Sequence, residues 1–125
     1  MRKQYHFRPS PAGLLAWDVD RLIVLAQGLA VQQLALADIA ELDENYWFAE
    51  VTSVPSARAL VEHMQLVQQC DLRWPIIVCP DGRVMDGMHR VCRALLQAQT
   101  RIAAVQLPQL PEPDFIGVMP DDLPY

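Results

Sequence analysis

The chain has 125 residues, and 15 aspartates and glutamates against 10 lysines and arginines leave it at −5 near neutral pH. That length makes one domain able to bury its own core. It holds no apolar run of the roughly 18 residues a membrane span requires, so no membrane partner is expected. An acidic chain also lacks the phosphate-neutralising charge of an autonomous duplex DNA binder.

The opening MRKQYHFRPS is basic but leads into no long apolar stretch, which argues against a secretory signal. Cys70, Cys79 and Cys92 form no CxxC pair, and three cannot all pair internally, so a reduced, cytoplasmic setting is expected. The charge is uneven. All ten basic residues precede Pro108, and nine of them are arginine, the side chain best shaped for phosphate or carboxylate. The last 18 residues carry only Glu112, Asp114, Asp121 and Asp122.

In chain order, residues 1–13 read as irregular, punctuated by Pro9, Pro11 and Gly13. A helix follows, capped by Asp18 or Asp20 and stopped at Gly28; Leu22, Ile23, Leu25, Ala26 and Leu29 predict burial on more than one side. VQQLALADI, 31–39, reads as a strand. AELDENYWFAE is an acidic-aromatic loop or short helix. Ser56 caps a helix to about Cys70 whose apolar stripe is Leu60, Val61, Met64 and Val67.

Ile76-Ile77-Val78-Cys79 reads as a buried strand, Pro80-Asp81-Gly82 as a turn and Arg83-Val84-Met85 as the returning strand. After Asp86-Gly87 a helix begins, with Met88, Val91, Cys92, Leu95 and Leu96 on its apolar face. Ile102–Leu107 is the last strand. The tail 108–125 has five prolines, yet Phe115, Ile116, Val118 and Met119 make it too apolar for a disordered segment, so it is expected to dock on the domain formed by 1–107.

Asp86-Gly87-Met88-His89-Arg90 is the segment with chemical potential. The first N–H groups of a helix have no internal partners, and the helix dipole adds positive potential there. A glycine at the entrance allows close approach, so the segment suits an anion such as phosphate. His89, Arg90 and Arg93 lie off the apolar face and add donors. Read more plainly, Asp86 caps the helix, Gly87 permits the turn, and Arg90 and Arg93 are solvated charges.

PIIVCPDGRVMDGMHRVCRALLQAQTRIAAVQL resembles the core of the ParB/sulfiredoxin-like superfamily: apolar strand, glycine turn, strand ending in DG, an HR pair, amphipathic helix and final strand. The likeness extends back to VQQLALADIAELD, so it spans about 31–107. It implies a small mixed sheet with about three main helices, an α/β fold, with α+β the other class. Sulfiredoxins carry a reactive cysteine where this chain has Met88, which forms no thiolate, so that chemistry is excluded. Partitioning ParB proteins append a DNA-reading helix-turn-helix, for which a proline-rich tail leaves no room. DGMHR is similar to the DGHHR form of free serine kinases. That resemblance implies a nucleotide (ATP, ADP or CTP) with Mg²⁺, a small hydroxylated acceptor, and a carboxylate base after the first strand. Glu41 fits that base best by position, ahead of Asp43 and Glu44.

The candidate set is thus Glu41, Asp86 and His89 as catalytic groups, and Gly87, Met88, His89, Arg90 and Arg93 as cofactor-binding ones. The expected function is a stand-alone nucleotide- or phosphate-binding domain able to transfer a phosphoryl group. The other reading is a non-catalytic module that senses nucleotide or docks a partner. Tyr46, Trp47 and Phe48 are assigned to the core rather than to base stacking. His63 is read as a packing histidine, and Cys79, His89 and Cys92 are rejected as metal ligands. Apolar residues in the tail make a homodimer reasonable.

Overall fold

A computed structural model describes residues 3–48 and 55–125. Among these residues are three α-helices and seven strands, the strands forming two sheets, an α+β arrangement, where the sequence suggests one sheet.

The larger sheet has the order β3-β6-β4-β5, with β3 Val31–Ala35, β4 Ile76–Val78, β5 Val84–Asp86 and β6 Arg101–Gln106. β4 runs parallel to β6, while β3 on β6 and β5 on β4 are antiparallel. Side chains alternate across a strand. Ile76, Val78 and Val84 accordingly join one core cluster with Met88, Val91 and Ala94. Ile77, Cys79 and Met85 join another with Trp17, Leu22 and Leu107. A sheet covered on both faces explains the unbroken apolar run at 76–79.

The second sheet is β1 Tyr5–Arg8, β2 Leu15–Asp18 and β7 Phe115–Ile116, in that order and antiparallel. Residues 1–13 are therefore not wholly irregular. Tyr5–Arg8 forms a strand because its ladder with β2 satisfies main-chain groups that no local pattern announces. The tail closes this sheet. Trp17 Nε1 donates to the Pro111 carbonyl at 2.8 Å, the Asp18 N–H to Asp114 at 2.8 Å, and Leu123 is buried.

Helix α1, Val19–Ala26, is capped by Asp18, whose side chain accepts from the Asp20 N–H. Only Val19 and Leu22 are buried, and Val24 and Leu25 are exposed, so α1 lies on the surface rather than buried on several sides. The strand expected over 31–39 stops at Ala35, where single 3-10 turns at Leu36–Asp38 and Ala40–Asp43 take over. Helix α2, Ala57–Gln69, starts at Ser56, whose hydroxyl accepts from the Ala59 N–H at 3.0 Å. Of its expected stripe only Val67 is buried. Helix α3, Met88–Leu96, buries Met88, Val91 and Ala94, while Leu95 and Leu96 are exposed. Ala49 and Glu50, which end the acidic-aromatic segment, lie outside the described residues.

No helix among the described residues is long and apolar enough to cross a membrane.

Candidate functional site

β5 delivers Asp86 to the start of α3, and Gly87 turns the chain with φ +104°, a conformation L side chains rarely adopt. Gly87 is the N-cap and no side chain caps the helix. The first turn therefore presents the N–H groups of Met88, His89 and Arg90 without intrahelical partners, while Val91 already donates to the Gly87 carbonyl at 3.1 Å.

Gly87 is needed for a second reason. A Cβ there would lie 2.7 Å from Arg90 Nη2, 3.0 Å from Arg90 Nε and 2.7 Å from Ile76 Cγ2. The space the sequence assigns to a ligand thus holds the helix's own guanidinium, folded back one turn. Asp86 tethers it, accepting from Arg90 Nη2 at 3.0 Å, with both side chains about one-sixth exposed. Arg90 Nε is buried without a hydrogen-bond partner among the described residues.

Glu41 lies against β5. It is 2% exposed, and its Oε2 accepts from the main-chain N–H of Val84. It ties the 3-10 turn after β3 to β5. Arg83 lies 3.8 Å from the same oxygen and forms a two-pronged pair with Glu44 at 2.8 and 2.7 Å. Glu41 is thereby an acceptor for β5, and its Oε1 is buried without a hydrogen-bond partner among the described residues.

His89 is paired, and with a residue the sequence placed in the packing class. Its Nε2 lies 3.0 Å from Nδ1 of His63 on α2. The ring centroids are 5.3 Å apart, so the two nitrogens lie close to the line joining the rings, as one shared proton requires. Trp47 covers both, 4.4 Å from His63 and 4.7 Å from His89. Burial first, then His63 and Arg90, push His89 down to about 4, and burial lowers His63 too. His89 is neutral at pH 7, so it offers a phosphate a hydrogen bond but no charge.

Trp47 and Tyr46 pack against the first core cluster, as assigned. Burial, then the charges of Glu41 and Asp86, push the Tyr46 phenol up to about 12, so it stays protonated. Arg93 leaves the site: its Nη1 donates to the Gln68 carbonyl at 3.0 Å and to the Cys70 carbonyl, closing the C-terminus of α2. Met88 is buried and contributes only its main chain. Cys79 and Cys92 belong to opposite faces of the large sheet and do not meet.

The structure therefore brings together Asp86, Gly87, Arg90 and the first N–H groups of α3, with His89 alongside. Glu41 is bonded to the Val84 N–H, and Arg93 to the last carbonyls of α2. Sequence reasoning missed the His63 and Trp47 contacts with His89. The available signal was Ala59, His63 and Val67 recurring at four-residue spacing on α2, one face with a histidine at its centre.

The chain matches no protein-family model, no curated protein and no solved structure.

Proposed function

We propose that the N-terminus of α3 and Arg90 bind the phosphate of a small ligand, and that the domain is a binding module. The carrying observation is the juxtaposition of three main-chain N–H groups, uncapped among the described residues, with a guanidinium tethered by Asp86. The helix N-terminus supplies dipole and donors, and the guanidinium supplies charge with directed N–H groups. Asp86 accepts from Nη2 and holds the guanidinium at the start of α3.

The ParB/sulfiredoxin-like resemblance supplies the ligand class, a nucleotide such as ATP, ADP or CTP with Mg²⁺, and the reduced cysteines fit a cytoplasmic setting. Magnesium sites of this kind use one or two carboxylates plus phosphate oxygens. Asp86 is the carboxylate present to hold the ion, which would screen the phosphate charge.

Phosphoryl transfer to a small hydroxylated substrate is the other reading, and it needs a base. Glu41 is committed to β5 and His89 to His63, so the geometry favours binding without turnover.

Thermal unfolding with ATP, ADP, CTP and GTP, each with Mg²⁺, tests the proposal. A ligand at about 100 times its Kd stabilises the folded state by about 2.7 kcal/mol. At least one nucleotide is expected to raise the Tm of the wild type and to lose that effect in Arg90→Ala. No shift with any nucleotide, or an undiminished shift in Arg90→Ala, overturns it.

A further inference from the structure

The small sheet and the docked tail enclose an open cavity of about 490 Å³. That volume lies within the roughly 300–1,000 Å³ of small-molecule sites. Tyr5, Phe115 and Tyr125 line it, together with Asp18, Asp114 and Lys3. The Tyr5 hydroxyl donates to the Pro124 carbonyl and the Tyr125 hydroxyl to the Pro120 carbonyl at 3.0 Å, so both phenols are anchored. Phe115 and Tyr125 stand at 74° and 87° to Tyr5, with ring centroids 6.0 and 5.3 Å from it. Edge-to-face pairs leave uncovered ring faces that parallel stacks would bury against each other. Such a face is negative and attracts a cation lying within about 6 Å of its centroid.

The charges have the same preference. Asp18, Asp20 and Asp114 outnumber Lys3 and Arg21, the cations paired with them. The tail adds Glu112, Asp121 and Asp122 and no cation. Their field draws cations and repels anions.

The carboxylates also say which cation fits. Asp18 Oδ1 accepts from the Asp20 N–H at 2.9 Å and Oδ2 from Lys3 Nζ at 2.6 Å. Asp114 Oδ2 accepts from the Asp18 N–H at 2.8 Å and Oδ1 from Arg21 Nη1 at 3.2 Å. A primary ammonium entering the cavity would have to compete for these acceptors after giving up its water. A quaternary ammonium has no N–H to satisfy and keeps the attraction to the rings and to the carboxylate field.

We propose that this cavity binds a small molecule through a trimethylammonium group, held by Tyr5, Phe115 and Tyr125 in the field of Asp18 and Asp114. The site is separate from the α3 N-terminus and gives the docked tail a role, since Phe115 and Tyr125 supply two of the three rings.

NMR titration of the full chain with choline chloride tests this, with the neutral tert-butyl isostere of choline and with ethanolamine as the comparison ligands. Saturable shifts of the Tyr5, Phe115 and Tyr125 ring protons are expected with choline, and binding of the other two at least about tenfold weaker. Tyr125→Ala should weaken choline about tenfold, whereas Tyr125→Phe, which keeps the ring, should not. Asp114→Asn, which keeps an acceptor for the Asp18 N–H and removes the charge, should weaken it several-fold. Tyr125 is 66% exposed, so circular dichroism and Tm of its variants should stay at wild-type values. No saturable choline binding, or binding that moves only other resonances, overturns the proposal. Equal affinity for the neutral isostere overturns cation recognition, and ethanolamine binding as tightly as choline overturns the trimethylammonium assignment. Undiminished binding in a folded Tyr125→Ala protein overturns the role of the tail ring. None of these outcomes depends on anion binding at α3.

Discussion

Gly87→Ala separates this site from an ordinary helix start. Two costs add. The backbone at φ +104° is a conformation that strains an L side chain by about 1–3 kcal/mol. The new methyl would also lie 2.7 Å from Ile76 Cγ2 and 2.7 Å from Arg90 Nη2. Ile76 is fully buried in β4 and has nowhere to move, whereas the guanidinium can swing out at the expense of its bond to Asp86. Overpacking of this kind costs about 1–3 kcal/mol, so the sum is about 4 kcal/mol. For a domain of this size that lowers Tm by about 15 °C. Urea denaturation of the wild type, Gly87→Ala, Arg90→Ala and the double variant closes a cycle. In the Arg90→Ala background the glycine substitution should cost about 1 kcal/mol less, yet remain unfavourable, because φ and Ile76 are unchanged. A Gly87→Ala protein as stable as wild type refutes the reasoning. A cost undiminished without Arg90 shows that the guanidinium does not occupy that space.

Glu41→Ala should destabilise by about 2–4 kcal/mol, since it orphans the buried Val84 N–H and opens a cavity, and Glu41→Gln by less because an acceptor remains. Both should keep the nucleotide-induced Tm shift; its loss in a folded Glu41→Gln protein would return Glu41 to the site. Arg93→Ala should cost about 1–2 kcal/mol through the freed carbonyls of Gln68 and Cys70 and leave ligand affinity unchanged, checked by urea midpoint and by titration. His89 and His6, held down to about 4 and about 3, bind protons more weakly folded than unfolded. Their contribution is complete above the unfolded value near 6.5 and is lost as pH falls through the folded ones. Urea midpoints should therefore drop between pH 6.5 and 4, by less in His89→Gln; equal slopes would contradict the burial of the His89 ring.

The parts legible in the sequence are those whose signals are local. Ser56 and Asp18 act as caps, Pro80-Asp81-Gly82 turns the hairpin, and the apolar run at 76–79 is a strand covered on both faces. The second sheet was not legible, because β1, β2 and β7 are short and define one another across the length of the chain. Ala16 and Trp17 are both buried although adjacent, so β2 shows no alternation to detect. Periodicity found the right spacing on α2 and the wrong face. Leu60, Val61 and Met64 satisfy a helical stripe as well as Ala59, His63 and Val67 do, and hydrophobicity ranks them higher.

The candidate site divides the same way. Asp86-Gly87 at a strand-to-helix switch is a sequence feature, and the structure places it there. Where a long side chain goes is decided by the fold. Arg90 and Arg93 stand on one helix, three residues apart, yet one folds back to the N-terminus and the other reaches across to α2. Glu41 occupies the position expected of a base, but the 3-10 turn points it under β5, where a main-chain donor needs an acceptor.

The central claim is that the first turn of α3 receives an anion. Its most direct test is a titration of the ¹⁵N-labelled chain with inorganic phosphate and with the nucleotide giving the largest thermal shift, read at the amide resonances. The account predicts saturable shifts of the Met88, His89 and Arg90 N–H signals and of Arg90 Nε–H, all absent in Arg90→Ala. Saturation with those signals unmoved, or binding that moves resonances only elsewhere, would contradict it.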